Sequence, residues 1–398
     1  NFGILHQSPP EVAYFNELQV CTFHSAIAAN LKFIVNLLGS SFITILVGSI
    51  RHLIVRLRAF RMGHVKRKTG RSGAVSYSKS EAKEYAQEHF RGIFAACLTP
   101  FKEDGSPDED GLRHNIRHWV DELKIAGLFV NGKQGEYFSM SLEERKRQFE
   151  IFAEETGDRC RTVMSCSDEN LDTVLTLGQH AQDVGADWII VHAPPLYFHK
   201  NVDMVLKEYY DYIADKLDIG IALWHQPDYN YVLEPEACAK YADIENVVAI
   251  KYSVDRERYS KLTEMTRGKL IVSTSSEDLW LENILELGWQ VYLCSSPPYL
   301  MQTKFDQRMN EYTELAMAGR EADARKVRDS LNPVREALKG TRPADKPQAQ
   351  QKYWQELIGQ VGGHVRRPLL NLTVEEKATV KQGLDSCGLQ LNASNTAA

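Results

Sequence analysis

The chain has 398 residues, of which 43% are hydrophobic and 25% charged, and its formal net charge is −6. This composition is typical of a globular protein with a large core. The negative balance, without a basic face interleaved with aromatics after residue 90, argues against a nucleic-acid partner. Seven scattered cysteines without a C-x-x-C pair argue against a cysteine-based zinc site and favour a reducing compartment, so we expect a cytoplasmic protein.

The first ninety residues differ from the rest. Residues 33–50 carry no charge, no acidic residue occurs between Glu17 and Glu81, and a run of basic residues follows residue 50. Three interpretations are open: a membrane anchor, because about 18 uncharged residues approach the shortest spanning helix; an arginine-rich targeting segment; or a non-native segment, because the first methionine is Met62. We favour the third, and we expect no membrane partner unless residues 33–50 are a native anchor.

From residue 91 one pattern repeats along the chain: a short apolar strand, a polar loop and an amphipathic helix. Apolar runs of this length predict strands that are buried on both faces. The predicted strands are Ile93–Leu98, Gly127–Val130, Thr162–Cys166, Asp187–His192, Ile219–Trp224, the run from Val247 that carries Lys251, Leu270–Ser273 and Gln290–Cys294. The predicted helices cover residues 110–125, 141–157, 171–184, 202–216, 234–241, 255–266 and 277–287.

Eight strand–helix units in about 220 residues have the period and length of a (β/α)8 barrel. The absence of a G-x-G-x-x-G turn argues against a doubly wound sheet. We therefore predict an N-terminal extension at 1–90, a (β/α)8 TIM-barrel core at 91–301, and a C-terminal helical region at 302–398 that completes the barrel and packs beside it. In this last region the sequence predicts helices at 311–331 and 350–361, separated by a break at 340–348 that holds two prolines.

The residues that follow each strand are the candidates for a site, because (β/α)8 barrels form their active sites at the C-terminal ends of the strands. Lys251 ends an apolar run, Val247 to Ile250. Burial there disfavours the ammonium and lowers the lysine pKa, and the free amine attacks carbonyl groups. The iminium that forms is an electron sink for carbon–carbon cleavage, condensation or dehydration. Taken alone, Lys251 is also consistent with an ordinary strand-end lysine whose amine reaches solvent.

Other side chains surround this lysine in the predicted barrel mouth. The Tyr197 hydroxyl suits proton transfer, although its ring would suit packing at a loop equally well. Lys133 adds a cation that either binds a substrate carboxylate or depresses the pKa of Lys251 by repulsion. Glu136 follows a glycine after strand two, and we expect it to hold the loop rather than to act as a base.

A metal-dependent lyase is a further alternative, with His192, His199 and His225 as ligands. Strand alternation places His225 off the face that carries Trp224, which argues against this set. The sequence contains no nucleotide, flavin or metal motif, and we expect no cofactor.

A series of short motifs occurs in order between Arg91 and Leu389. They are Leu98–Phe101, Gly132-x-x-Gly135-Glu136, Pro195-Leu196-Tyr197, Trp224–Pro227, Ile250-Lys251 and Arg367-Pro368-Leu369. Together they resemble the dihydrodipicolinate synthase / N-acetylneuraminate lyase family of class I aldolases. The resemblance implies that Lys251 is the Schiff-base lysine and that the loop from Gly132 to Glu136 binds the carboxylate of pyruvate or another 2-oxo acid. It also implies a homo-oligomer, a dimer or a tetramer.

The chain departs from the family pattern at several positions. The two hydroxyl residues of the carboxylate loop are Lys133 and Gln134 here, and the tyrosine of strand five is Trp224. Tyr197 matches a tyrosine of the family's proton relay. The arginine that binds a second carboxylate in the synthases aligns with Tyr229, which argues against a role in lysine biosynthesis.

The sequence therefore predicts a Schiff-base-forming lyase, an aldolase or a dehydratase, that acts on a 2-oxo acid or sugar acid. The alternative is a catalytically altered barrel that serves as a binding or regulatory protein. The predicted catalytic residues are Lys251, Tyr197 and His225. The predicted substrate-binding residues are Thr99, Gly132, Lys133, Gln134, Trp224, Tyr229 and Ser273.

Overall fold

The computed structural model describes residues 75–198, 200–227 and 231–392. The described chain contains eight strands at the predicted places, with ends shifted by one or two residues. They are β1 (Gly92–Ala96), β2 (Gly127–Val130), β3 (Arg161–Ser165), β4 (Trp188–His192), β5 (Gly220–His225), β6 (Val247–Tyr252), β7 (Ile271–Ser273) and β8 (Val291–Leu293).

A helix precedes β1 and others separate the strands. They are α1 (Ala82–His89), α2 (Glu109–Arg117), α3 (Leu142–Thr156), α4 (Leu171–Asp183), α5 (Val202–Lys216), α6 (Pro235–Ala239), α7 (Arg256–Met265) and α8 (Trp280–Leu287). The capping box predicted for α3 is present, since Ser141 accepts from the Glu144 backbone N–H and Glu144 accepts from that of Ser141. None of the helices in the described ranges has the length and apolar character needed to span a membrane.

Five α-helices follow the strands in the described part of the chain: α9 (Arg308–Met317), α10 (Glu321–Ser330), α11 (Asn332–Gly340), α12 (Pro347–Leu357) and α13 (Val374–Ser386). The prediction of a single helix over residues 311–331 is wrong, because the chain forms two helices there, α9 and α10. Gly319 adopts a positive φ of 75° just after α9, a left-handed conformation that ends the helix. The predicted break before residue 348 is confirmed, with Pro347 in the first turn of α12, where its missing N–H costs no helical hydrogen bond.

The strands pair in parallel in the order β7-β6-β5-β4-β3-β2-β1-β8. Between β7 and β8, the Ser273 hydroxyl accepts a hydrogen bond from the Leu293 N–H (3.0 Å) and donates one to the Val291 carbonyl (3.0 Å). This side chain bridges the two ends of the sheet. The eight strands therefore form a nearly closed barrel, and the predicted (β/α)8 fold is confirmed.

The N-terminal ends of the strands are covered by residues before β1. Ala82 and Ala86 of α1 are fully buried, and the Phe90 ring stacks on Trp188 at the start of β4, with centroids 4.4 Å apart. The Tyr77 hydroxyl donates to the carbonyl of Asp187 at 2.5 Å. Thus the last part of the segment set aside as an extension packs against the barrel; most of residues 1–90 lie outside the described ranges.

The pairing register places four residues of adjacent strands side by side. His192 pairs with Trp224, Trp224 with Lys251, and Lys251 with Ser273. Paired residues of parallel strands point to the same face of the sheet. These four side chains therefore form one layer at the C-terminal end of the barrel, where active sites of this fold form.

Candidate active site

Lys251 lies in this layer and is 1% exposed. Its Nζ donates to the carbonyl of Cys294 at 2.8 Å and lies 5.0 Å from the ring centroid of Phe129. Burial disfavours the ammonium, repulsion from Lys133 adds to the effect, and the pKa of Lys251 falls to about 7. A large fraction of the amine is therefore unprotonated at neutral pH, in the form that attacks a carbonyl carbon.

The indole of Trp224 lies beside two amines. The ring centroid of Trp224 is 4.8 Å from the Nζ of Lys251 and 4.9 Å from the Nζ of Lys133. Its Nε1 donates to the Gln226 side chain at 2.9 Å, which fixes the ring. Burial lowers the pKa of Lys133 to about 8. The positive charge of Lys133 beside this buried ring favours the binding of an anionic group.

The loop after β2 is held in a conformation that its sequence specifies. A Cβ at Gly135 would lie 3.0 Å from the carbonyl oxygen of Cys97, a tight contact that glycine avoids. Glu136 has a positive φ of 59° and is fully buried. Its carboxylate pairs with Lys352 at 2.5 Å and accepts from the backbone N–H of Arg366 at 2.8 Å. Glu136 thus holds the loop, the role that the sequence favoured.

The same loop carries three of the predicted binding residues. Gly132 lies against the Phe129 ring, which a Cβ would approach to 3.1 Å. The Gln134 side chain donates to the carbonyl of Ser295, and the carbonyl of Lys133 accepts from Gln348 of α12 at 3.4 Å. Of these three residues, Lys133 is the one whose side chain contacts the Trp224 indole, which Lys251 also contacts.

The hydroxyls of Thr99 and Ser273, which were predicted to bind substrate, form hydrogen bonds within the protein. The Thr99 hydroxyl exchanges hydrogen bonds of 3.2 and 3.3 Å with the side-chain amide of Gln148 in α3. Ser273 uses its hydroxyl to join β7 to β8. Both are buried, and their hydrogen bonds serve packing between elements. The structure therefore shows scaffold contacts for Thr99 and Ser273, and their contacts with substrate stay predictions.

Tyr197, predicted to transfer protons, is 97% exposed and contacts the neighbouring Phe198 ring edge to face. The loop after β4 carries it into solvent, so this structure does not bring it to Lys251. Tyr229, predicted to bind substrate, lies outside the described residues, as does His199.

His225, the other predicted proton-transfer residue, faces away from the barrel mouth. Its Nε2 accepts a hydrogen bond from the Leu233 N–H at 2.9 Å, and its ring lies nearly parallel to that of Tyr252. Burial lowers the pKa of His225 to about 4. The histidine follows Trp224 directly, and strand alternation turns it to the opposite face of β5. It therefore holds the loop before α6 instead of joining the Lys251 layer.

His192 is the residue that the sequence analysis missed as part of the Lys251 site. Its ring meets that of Trp224 edge to face, with centroids 4.6 Å apart. From the sequence, His192 is expected only as an alternative metal ligand; no group of three metal-ligating side chains occurs within the described ranges. The signal that would have found it is its position: it is the last residue of the fourth strand, on the same face as Ile190.

Comparison with known proteins agrees with this architecture. Residues 89–386 match the model of the dihydrodipicolinate synthetase family. The chain is 34% identical over 210 residues to 4-hydroxy-tetrahydrodipicolinate synthase of Methanothrix thermoacetophila, covering 50% of this chain and 66% of that protein. It is 38% identical over 137 residues to N-acetylneuraminate lyase of Haemophilus influenzae, covering 34% and 46%. Each match spans less than two thirds of the relative's length.

The fold is also that of a solved structure, a prophage protein of the dihydrodipicolinic acid synthase family from E. coli K12 in complex with pyruvate. The TM-score is 0.67 at 24% identity, covering 76% of this chain and 99% of that one. The family model extends from α1 through all eight strands to α13, and it includes the candidate site. As its motifs predicted, this chain belongs to the dihydrodipicolinate synthetase family.

Proposed function

We propose that this protein is a Schiff-base-forming lyase that acts on a 2-oxo acid, by aldol cleavage or by dehydration. The observation that carries the proposal is the amine of Lys251, buried in the barrel mouth between Phe129 and Trp224 with a pKa lowered to about 7. The relatives support it, since one is named as a lyase and the E. coli neighbour was solved with pyruvate.

In the proposed reaction the Lys251 amine attacks the C2 carbonyl, and loss of water gives an iminium ion. For aldol cleavage, the C4 hydroxyl loses its proton, the C3–C4 bond breaks, and its electron pair moves through C2 to the nitrogen. An aldehyde leaves, and an enamine remains on Lys251. Protonation of the enamine at C3 and hydrolysis of the imine release the shortened 2-oxo acid. For dehydration, removal of a C3 proton gives the enamine, whose electron pair forms the C3=C4 bond as the C4 hydroxyl takes up a proton and leaves as water; hydrolysis of the imine then frees Lys251.

Lys133 is the group best placed to attract the substrate carboxylate. Its amine lies 4.9 Å from the Trp224 centroid, on the same ring that Lys251 contacts. An ammonium–carboxylate contact is strong where water is scarce. Before substrate binds, the same charge lowers the pKa of Lys251 and increases the fraction of free amine.

The test is intact mass measurement after incubation with pyruvate and borohydride. We expect the wild type to gain one reduced pyruvate adduct and Lys251→Ala to gain none. Lys269→Ala is the matched control, because Lys269 is an exposed lysine at the opposite end of the barrel. An adduct that persists in Lys251→Ala would refute the assignment. Absence of an adduct in the wild type with pyruvate and with larger 2-oxo acids would favour the non-catalytic alternative.

A further inference from the structure

The proposed reaction needs a group beside the imine that accepts a proton and returns it. The two residues predicted for this task lie elsewhere, because Tyr197 is exposed and His225 faces away from the barrel mouth. A proton acceptor must therefore be sought among the side chains that share the layer of Lys251. That layer contains one titratable side chain besides Lys251 among the described strand residues in register with it, namely His192.

His192 and Lys251 flank the same indole. The imidazole meets the Trp224 ring at a centroid distance of 4.6 Å, and the Lys251 amine lies 4.8 Å from the centroid of that ring. Their strands are separated only by β5, so their Cα atoms are two strand spacings apart, roughly 10 Å.

The imidazole is held in one tautomer and one orientation. Its Nδ1 lies 2.6 Å from the carbonyl oxygen of Ala193, which can only accept, so Nδ1 carries the proton. The lone pair is consequently on Nε2, on the side of the ring away from the Ala193 backbone. The His192 backbone N–H donates to the Ser167 hydroxyl at 2.9 Å, and Arg145 in turn holds the Ser167 carbonyl at 2.8 Å.

We propose that His192 is the proton-transfer residue of the Lys251 site, with Nε2 as the accepting atom; this inference rests on the proposed function. Nε2 takes a proton from C3 of the Lys251 iminium. The C3–H electron pair forms the C2=C3 bond, and the C2=N π pair moves to nitrogen, which gives the enamine and an imidazolium. The reverse step returns the proton to C3.

The charges around His192 fit a base that gains strength when substrate binds. Burial is the main reason that the pKa of His192 falls to about 3; the hydrogen bond to the Ala193 carbonyl opposes the fall, and the charges of Lys133 and Lys251 add to it. A substrate carboxylate beside Lys133 offsets one of these charges. The imidazolium is then better tolerated in the complex than in the free protein.

The test separates imine formation from proton transfer. Deuterium exchange at the pyruvate methyl group, followed by proton NMR in D2O, reports the enamine step, and borohydride trapping reports the imine. His192→Asn keeps a donor for the Ala193 carbonyl but lacks the second ring nitrogen. We expect it to trap pyruvate like the wild type and to exchange about 10²- to 10⁴-fold more slowly. His225→Asn, which alters the outward-facing histidine, should exchange at the wild-type rate.

Unchanged exchange in a His192→Asn variant that still traps pyruvate would overturn the proposal, as would loss of exchange in His225→Asn alone. If His192→Asn does not fold, His192→Gln serves in its place, with the same expected loss of exchange. A folded variant that loses trapping as well as exchange would place His192 in imine formation and also overturn it. A wild type that traps no pyruvate would instead refute the proposed function itself, and the histidine assignment with it.

Discussion

Glu136 and Lys352 form a buried ion pair, with 2.5 Å between Oε1 and Nζ, and neither residue is more than 1% exposed. Glu136 belongs to the loop that carries Lys133, and Lys352 belongs to α12 in the C-terminal region. Burial raises the carboxyl pKa of Glu136, and Lys352 and Arg366 offset part of this rise by favouring its ionised form. The C-terminal helices therefore set the position of the loop in the barrel mouth.

Lys352→Met should destabilise the protein, because it leaves the buried carboxylate of Glu136 without its partner. Removal of one member of a buried pair costs about 3–5 kcal/mol, which urea denaturation would detect as a loss of unfolding free energy. The control is Lys381→Met, which breaks an exposed pair with Asp385 on α13 and should cost less than about 1 kcal/mol. Equal losses in the two variants would contradict the structural role of the buried pair.

Lys251→Met should have the opposite effect on stability. The pKa of Lys251 is about 10.5 in the unfolded chain and about 7 in the folded protein. The penalty for the buried amine is therefore fully present below pH 7 and shrinks as the pH rises towards 10.5. Thermal denaturation should show Lys251→Met more stable than the wild type at pH 6, by an amount on the order of a few kcal/mol, and less so near pH 9.5. A gain that does not change with pH would refute the lowered pKa.

Imine formation should depend on pH through the same group. We expect its rate with pyruvate to rise with pH to a midpoint near 7, because only the neutral amine attacks. Lys133→Met should move the midpoint upwards, since it removes a repelling charge, whereas Lys133→Arg should keep it nearly unchanged. The measurement is the adduct fraction in aliquots incubated at each pH and quenched into one borohydride buffer. A midpoint that stays in place in Lys133→Met would show that burial alone sets the pKa of Lys251.

Ser273→Ala should weaken the seam between β7 and β8. It removes the hydroxyl that pairs with the Leu293 N–H and the Val291 carbonyl and leaves both buried groups without that partner, at a cost of about 1–3 kcal/mol. Ser276→Ala is a control, because that N-cap side chain makes no capping hydrogen bond. Denaturation reports the stability, and borohydride trapping should still give the Lys251 adduct in both variants. Loss of trapping in a folded Ser273→Ala variant would support the substrate-binding role predicted from the sequence.

The features that the sequence determined depend on residues close together along the chain. The alternation of strands and helices predicted the barrel, and the Ser141 capping box predicted the start of a helix. Lys251 was predicted as a site residue because it ends an apolar run. The break of the C-terminal helix at Gly319 was missed, since a glycine within a helical pattern ends a helix only when its backbone turns left-handed.

The tertiary structure decided which side chains meet Lys251. The sequence predicted Tyr197 as a neighbour of Lys251 because it follows the fourth strand. The path of a loop is set by its tertiary contacts, and the loop after β4 exposes Tyr197 to solvent. Sequence spacing could not show that the Ser273 side chain joins β7 to β8, the two ends of the sheet order, or that His192 lies across Trp224 from the lysine. Local sequence fixes which face of a strand a side chain occupies. Cross-strand register and the packing of distant helices fix its neighbours, because they arise from contacts that form only when the barrel closes.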